Sequence, residues 1–174
     1  MRWVDSYEWN TKATAMQKAF EGHKKEKVNR PDWNHYFLSI AQETAKRSPD
    51  AQTQCGCVFV KNNRILGTGY NGYAAGINDT YISNVRPEKY PWMIHAEINC
   101  ILNSKKKKNI IAYITGLPCF PCLNTMYAFG VRSIYCGPQA SVMRDDDKEY
   151  RKLVDAFKLC ASDKFFIQIL DTTK

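Results

Sequence analysis

The sequence predicts an α/β fold in which helices cover both faces of a β-sheet. Short apolar stretches with strand character alternate with amphipathic stretches of helical spacing, an order typical of layered α/β domains. The chain has 174 residues, of which 44% are hydrophobic, and this size and composition suit one globular core. No internal repeat or low-complexity linker interrupts the pattern.

The first predicted element is a helix over residues 5–20, within a highly charged segment. We interpret residues 1–30 as an N-terminal helical extension and residues 31–174 as a single domain. Asp32 is a good N-cap for the second helix. That helix should end before Ser48-Pro49, because the residue preceding a proline disfavours helical backbone angles.

A β-hairpin is predicted next, with strands at 55–60 and 64–70 joined by a turn at 61–63. A long loop then runs to Pro91, and loops of this length inside compact domains are usually functional. The further helices are predicted at 95–102, 119–129 and 145–159, and the further strands at 110–115, 134–136 and 165–170.

Two short motifs, His95-Ala96-Glu97 and Pro118-Cys119-Phe120-Pro121-Cys122, carry metal chemistry. Zinc prefers four tetrahedral thiolate and imidazole ligands, and a catalytic zinc keeps one position for water. Cys119 and Cys122 begin a predicted helix, whose N-terminus favours thiolates, and His95 would supply the third ligand. No fourth candidate lies beside them, which favours an open catalytic site over a closed structural one.

Glu97 lies two residues beyond the histidine, so we expect it near the metal but not bound to it. Zinc lowers the pKa of a bound water to about 7, and a nearby carboxylate can take that proton and return it to a leaving group. Histidine-x-glutamate followed by Pro-Cys-x-x-Cys is the signature of zinc nucleobase deaminases. By itself the cysteine pair could instead be a redox pair or part of a structural zinc site.

Residues 47–139 resemble the deoxycytidylate (dCMP) deaminase family of the cytidine deaminase superfamily. The four blocks that carry the resemblance are Arg47-Ser48-Pro49-Asp50 through Thr53-Gln54-Cys55-Gly56-Cys57, Gly69-Tyr70-Asn71-Gly72, Lys89-Tyr90-Pro91 ahead of His95-Ala96-Glu97, and Pro118-Cys119 to Cys122. The resemblance implies a cytidine deaminase-like three-layer α/β/α sandwich around a central mixed sheet. The divergent ends of the chain would suit a viral or phage copy.

The resemblance also implies substrate contacts. Asn71 would hydrogen-bond the deoxyribose, and the backbone near Ala96 would hold the base against the zinc. The loop residues implied near the 5′-phosphate are Arg47, Ser48 and Gln54. Arg47 could instead complement the dipole at a helix C-terminus, and Tyr90 would either line the base or sugar pocket or pack beneath it.

The implied reaction is hydrolysis of dCMP to dUMP and ammonia, by a zinc-activated water with Glu97 as proton shuttle, supplying dUMP for thymidylate synthesis. Family members are commonly hexamers, activated by dCTP and inhibited by dTTP, each bound with Mg²⁺. The implied regulatory residues are Gly69, Tyr70 and Gly72, although residues 73–76 depart from the family pattern just after them. Residues 73–93 contain neither cysteine nor histidine, so we predict one zinc per chain.

Two other functions stay open at this point. A nucleic-acid deaminase acting on transfer RNA or single-stranded DNA would use the same zinc chemistry, and the formal net charge of +8 and the lysines at 105–108 favour polyanions. However, no basic stretch interleaved with aromatic residues is present to stack unpaired bases, so we expect no stable nucleic-acid partner. A catalytically inactive interaction module is the second alternative, although all four motif residues are retained.

The remaining expectations concern environment and packing. No stretch approaches the roughly 20 apolar residues of a membrane-spanning helix, so we expect no membrane partner and a cytoplasmic location, in the host cytoplasm for a viral protein. His23 and His35 are interpreted as structural or solvated. The cysteines interpreted as core residues are Cys55, Cys57, Cys100, Cys136 and Cys160.

Overall fold

A computed structural model describes residues 6–20, 26, 28–138, 148–161 and 164–170. The chain divides into two compact units, Met1–Arg30 and Pro31–Lys174. In the first unit, helix α1 spans Ser6–Phe20, and its side chains at 11–19 are exposed. His23, and the start of the helix predicted at 145–159, lie outside the described residues.

The second unit contains four helices and five strands among its described residues. The helices are α2 (Trp33–Ala45), α3 (Ala96–Leu102), α4 (Phe120–Phe129) and α5 (Lys148–Cys160). The strands are β1 (Gly56–Lys61), β2 (Arg64–Tyr70), β3 (Ile110–Ile114), β4 (Val131–Cys136) and β5 (Phe166–Ile169). The predicted order of helices and strands is confirmed, and the long loop adds a short 3₁₀ helix at Asp79–Tyr81.

The five strands form one mixed sheet in the order β2-β1-β3-β4-β5. Strand β1 pairs antiparallel with β2 and β3, whereas β3, β4 and β5 run parallel. The β1–β2 hairpin closes through Asn62 and Asn63, which have φ of 52° and 56°. Asparagine tolerates this left-handed backbone region better than most residues.

Alternation along β1 places helices on both faces of the sheet. Cys57 and Phe59 join the cluster that includes the apolar faces of α3, α4 and α5, while Val58 and Val60 pack with α2. The helix α2 lies so close to β1 that a Cβ on Gly56 would meet the carbonyl oxygen of Ala41 at 2.0 Å. The predicted three-layer α/β/α arrangement with a mixed sheet is therefore confirmed.

The structure corrects one of the predicted core residues. Cys57, Cys100 and Cys136 are fully buried and Cys55 is half-buried, but Cys160 is exposed. The buried positions of α5 are Tyr150 and Val154, which are four residues apart and share one face of the helix. Cys160 lies at the end of α5, off that face.

Candidate active site

Three side chains converge where α3 and α4 begin. His95 is the N-cap of α3 and Cys119 is the N-cap of α4, with Cys122 one turn further along α4. The Nδ1 atom of His95 lies 3.4 Å from the Sγ atoms of both Cys119 and Cys122. The ligand atoms of these three residues all lie within 4.8 Å of one another, as a group that could hold a metal ion.

The protonation state of Cys119 suits metal binding. Its side-chain hydrogen bond with Cys122 lowers its pKa to about 4, with burial opposing this shift and the contact with His95 adding to it. The N-terminus of a helix also favours negative charge, since its first N–H groups have no partner within the helix. A thiolate at this position is the form that zinc binds.

Glu97 lines a cavity of about 250 Å³ that is also lined by His95 and Cys119. Glu97 is 6% exposed. Burial and the Glu97 charge raise the pKa of Cys55, on the cavity wall, to about 11. The cavity volume is slightly below the roughly 300–1,000 Å³ of pockets for drug-sized ligands, which suits a nucleobase with part of its sugar.

Three of the six residues predicted to contact substrate line this cavity. Ala96 is fully buried in its wall and Tyr90 is 60% exposed at its edge. Asn71 also lines it, but its Nδ2 group donates to Asp50 Oδ2 and to the Thr53 carbonyl oxygen. Its Oδ1 atom accepts from Cys55 N at 2.7 Å, so one lone pair on Oδ1 is left for a ligand.

The other three residues, those predicted near a phosphate, do not line the cavity. Arg47 is exposed just beyond the end of α2. This is the helix C-terminal position at which the alternative interpretation has it complement the helix dipole. The buried Ser48 hydroxyl donates to the Asn71 carbonyl oxygen at 2.7 Å. Gln54 Nε2 donates to the Ser48 carbonyl oxygen at 3.0 Å. Ser48 and Gln54 therefore form hydrogen bonds that hold the backbone around Asn71.

Sequence reasoning missed several residues that the structure brings to the cavity. Asp50, Thr53, Arg86 and Lys89 all line it, and the buried Lys89 forms an ion pair with Asp50. The length of the loop after β2 predicts a function for it, but nothing in its sequence pattern distinguishes Arg86 from its other polar residues.

The residues implied to bind a regulatory nucleotide have visible packing roles. A Cβ on Gly69 would meet Cys100 N at 2.2 Å and Ala96 O at 2.4 Å, so this glycine lets α3 approach β2. The Tyr70 carbonyl oxygen accepts from Asn99 Nδ2 at 2.7 Å. Gly72 pairs with Ile94 as an isolated bridge that brings the chain back toward His95.

The model of the cytidine and deoxycytidylate deaminase zinc-binding region matches residues 31–138, well over half of the chain. The chain belongs to this deaminase family. Its match includes the three grouped ligand candidates, Glu97 and most of the sheet. The family resemblance inferred from the sequence blocks is thereby confirmed.

Individual relatives agree with this family. A human deoxycytidylate deaminase is 33% identical over 112 residues, covering 59% of this chain and 63% of that protein. A deoxycytidylate deaminase of Mycobacterium phage D29 is 34% identical over 122 residues, covering 62% of this chain and 95% of the phage protein. The aligned part thus spans slightly less than two thirds of the human relative.

A solved structure confirms the cytidine deaminase-like fold. The dCMP deaminase of cyanophage S-TIM5, in complex with dCMP and dUMP, superposes with a TM-score of 0.63 over 82% of this chain and 100% of the phage chain, at 18% identity. Among the described residues, no helix combines the length and apolar character needed to cross a membrane.

Proposed function

We propose that this protein hydrolyses dCMP to dUMP and ammonia. The observation that carries the proposal is the convergence of His95, Cys119 and Cys122, with the buried Glu97 lining the same cavity as His95 and Cys119. The names of the human and phage relatives, and the ligands of the cyanophage structure, support dCMP as the substrate.

The donor set fits one catalytic zinc ion. His95, Cys119 and Cys122 would hold it, because two sulfur atoms and one imidazole nitrogen are zinc's preferred donors. When bound there, zinc would supply a Lewis acid that lowers the pKa of a water to about 7.

Glu97 would carry the protons of the reaction. Its carboxylate would take one proton of the attacking water and deliver it to ring nitrogen N3, and would then carry the second proton, from the new hydroxyl on C4, to the departing amine. The balanced change is the addition of one water at C4 and the loss of ammonia, so the amino group is replaced by an oxygen. Burial of Glu97 keeps bulk water from competing for that proton.

The cavity wall would orient the nucleoside part of the substrate. The backbone at Ala96 would hold the base, Tyr90 would cover it at the cavity edge, and Asn71 Oδ1 would accept a hydrogen bond from the deoxyribose. Because both Asn71 N–H donors are held by Asp50 and Thr53, Oδ1 is fixed in direction before substrate binds.

Regulation and assembly extend the same proposal. A hexamer activated by dCTP and inhibited by dTTP, each with Mg²⁺, would use the segment of Gly69, Tyr70 and Gly72. The retention of this block supports the proposal. Residues 73–93, which follow it, contain neither cysteine nor histidine, so we expect no second zinc in this loop. In a cytoplasmic setting, the dUMP produced would serve thymidylate synthesis.

The alternative of a nucleic-acid deaminase has less support. The lysines at 105–108 directly precede β3, whereas the cavity lies at the other end of that strand, at Ile114, Gly116 and Leu117. A strand of nucleic acid held by these lysines would lie at the opposite end of β3 from the cavity that Glu97 lines. The alternative of an inactive module conflicts with the retention and convergence of all four motif residues.

The test is the loss of cytosine absorbance from dCMP, deoxycytidine and dCTP in parallel, with zinc-loaded protein. We expect rapid turnover of dCMP, slow turnover of deoxycytidine, and turnover of dCMP about 10²–10⁴-fold slower by a zinc-loaded Glu97→Gln variant. Zinc-loaded protein that converts dCTP or deoxycytidine faster than dCMP, or that converts none of them, would overturn the proposal.

A further inference from the structure

The cavity has a basic residue at its edge to which neither the motifs nor the family resemblance gives a role. Two side chains with permanent positive charge line the cavity within the described part of the chain, Arg86 and Lys89. A phosphate on the substrate would need at least one of them, because burying a dianion without a partner is costly. The contacts of the two residues differ sharply.

Lys89 is already neutralised. It is 2% exposed and forms an ion pair with Asp50, which is itself 4% exposed. The same carboxylate accepts hydrogen bonds from the backbone N–H groups of Gln52 and Thr53 and from Asn71 Nδ2. The ammonium group of Lys89 therefore holds the cavity wall together and adds little net charge to the cavity.

Arg86 has a different environment. Its Nη2 atom donates to Thr53 Oγ1 at 2.7 Å, and its side chain forms no ion pair with a carboxylate in the described ranges. A guanidinium group has five N–H donors in a planar fork that matches phosphate oxygens. Most of those donors stay available for an anion at the exposed edge of the cavity.

The position of this guanidinium is fixed by contacts between two loops. Arg86 N donates to Gln52 Oε1 at 2.8 Å, and Asn84 Nδ2 donates to the Pro49 carbonyl oxygen at 3.3 Å. Ala51 N donates to the Asn84 carbonyl oxygen at 3.4 Å. These bonds join the segment around Arg86 to the segment that carries Thr53, so a ligand would not have to order either loop.

We propose that Arg86, with the hydroxyl group of Thr53, binds the 5′-phosphate and makes the site select a nucleoside monophosphate over a nucleoside. This inference rests on the proposed function, since it assigns a phosphate contact for the same substrate. It transfers that contact from Arg47, which is exposed beyond α2 and does not line the cavity. Charge-assisted hydrogen bonds from a guanidinium to phosphate are the interactions that would supply the selectivity.

The test compares the dissociation constants of dUMP and deoxyuridine, measured by calorimetry on the zinc-loaded full chain. Arg86→Gln should weaken dUMP binding about tenfold to a hundredfold and leave deoxyuridine binding unchanged. Arg86→Lys should recover part of the loss, since it retains the charge without the planar fork. Arg64→Gln, on the exposed start of β2, is the matched control and should bind both ligands like wild type.

Two further substitutions, one of Thr53 and one of Arg47, complete the design. Thr53→Val should weaken dUMP binding more than deoxyuridine binding, and the unfolding temperature of each variant should match wild type within a few degrees. Dependence of dUMP binding on Arg47 and not on Arg86, or equal loss of both ligands in Arg86→Gln, would overturn the inference. If dUMP binding depends on Arg86 but the wild-type protein does not turn over dCMP, the proposed function is refuted and this inference stands.

Discussion

Two cysteines that border the same cavity differ in protonation at neutral pH. Cys119, at the start of α4, has its pKa lowered to about 4 by the hydrogen bond with Cys122 and by His95. Cys55, which also lines the cavity, has its pKa raised to about 11 by burial and by the Glu97 charge. Cys119 is therefore available as a thiolate ligand, whereas Cys55 is a neutral thiol.

This contrast predicts which cysteines affect metal content. Cys119→Ser and Cys122→Ser should each lower zinc occupancy several-fold, because a hydroxyl is a much poorer zinc ligand than a thiolate. Cys55→Ser should retain one zinc per chain and is the matched control. Elemental analysis of protein purified in parallel measures this, and full occupancy in Cys119→Ser would place the metal elsewhere.

Glu97 has a role that can be separated from metal binding. Glu97→Gln retains the shape of the side chain but removes its capacity to accept a proton. We expect unchanged zinc content and a fall in kcat for dCMP of about 10²–10⁴-fold, the usual contribution of a general acid–base group. Substantial residual activity in a zinc-loaded variant would exclude Glu97 as the proton carrier.

At the scale of elements, the catalytic groups depend on loops and helix ends outside the motifs. Asp50 connects the loop before β1 to the loop before α3 through Lys89 and Asn71. On the other side of the site, the Tyr150 hydroxyl of α5 donates to the carbonyl oxygen of Pro118, just ahead of Cys119. Residues distant in sequence thus position both the loops joined by Asp50 and the start of α4 at Cys119.

Asp50 gives a stability prediction with a defined pH dependence. Burial opposes its ionisation, but the hydrogen bonds from Lys89, Gln52 and Thr53 outweigh burial and lower its pKa below 3.8. An unfolded aspartate titrates near pH 3.9, so the stabilisation by Asp50 is fully present above about pH 4 and is lost as pH falls through the lowered native value. Asp50→Asn should cost about 3–5 kcal/mol at pH 7, because it leaves Lys89 buried without its partner.

Urea unfolding at pH 7 and at pH 3 measures this effect. The wild-type free energy of unfolding should approach that of Asp50→Asn as the pH falls. Asp155→Asn removes an exposed ion pair with Lys158 and should change stability by less than about 1 kcal/mol. A cost as small as this for Asp50→Asn would show that the buried pair does not stabilise the fold.

At the scale of the whole molecule, both hydrophobic clusters draw their described residues from the unit Pro31–Lys174. The site residues also lie in that unit. We propose that residues 31–174 form the deaminase domain and that residues 1–30 are an extension of it. Because the described residues of both clusters lie in the larger unit, we expect that unit to supply most of the free energy of folding.

Removal of residues 1–30 tests this division. We expect the truncated protein to keep one zinc per chain and a cooperative thermal transition, because none of the described residues of the two clusters is deleted. The full-length chain, prepared in parallel, is the control for zinc content and unfolding temperature. Collapse of the truncated protein would show that the first thirty residues are integral to the fold.

The sequence alone was enough for the features that depend on local pattern. Helical spacing after Asp32, the asparagine turn and the alternating blocks predicted the elements, because each reflects backbone preferences over a few residues. The identity of the ligand group was also predictable, since His95-Ala96-Glu97 followed by Pro118-Cys119-Phe120-Pro121-Cys122 is a recognised motif whose residue types and spacing are visible in the sequence.

Only the tertiary structure decided how groups distant in sequence share one cavity. It made Lys89 a neutralised wall residue and Arg86 a cation at the edge, through contacts with Asp50 and Thr53 more than thirty residues away. It also occupied the donors of Asn71 and left Cys160 exposed. Burial and charge pairing depend on which elements pack together, and a local pattern does not contain that information.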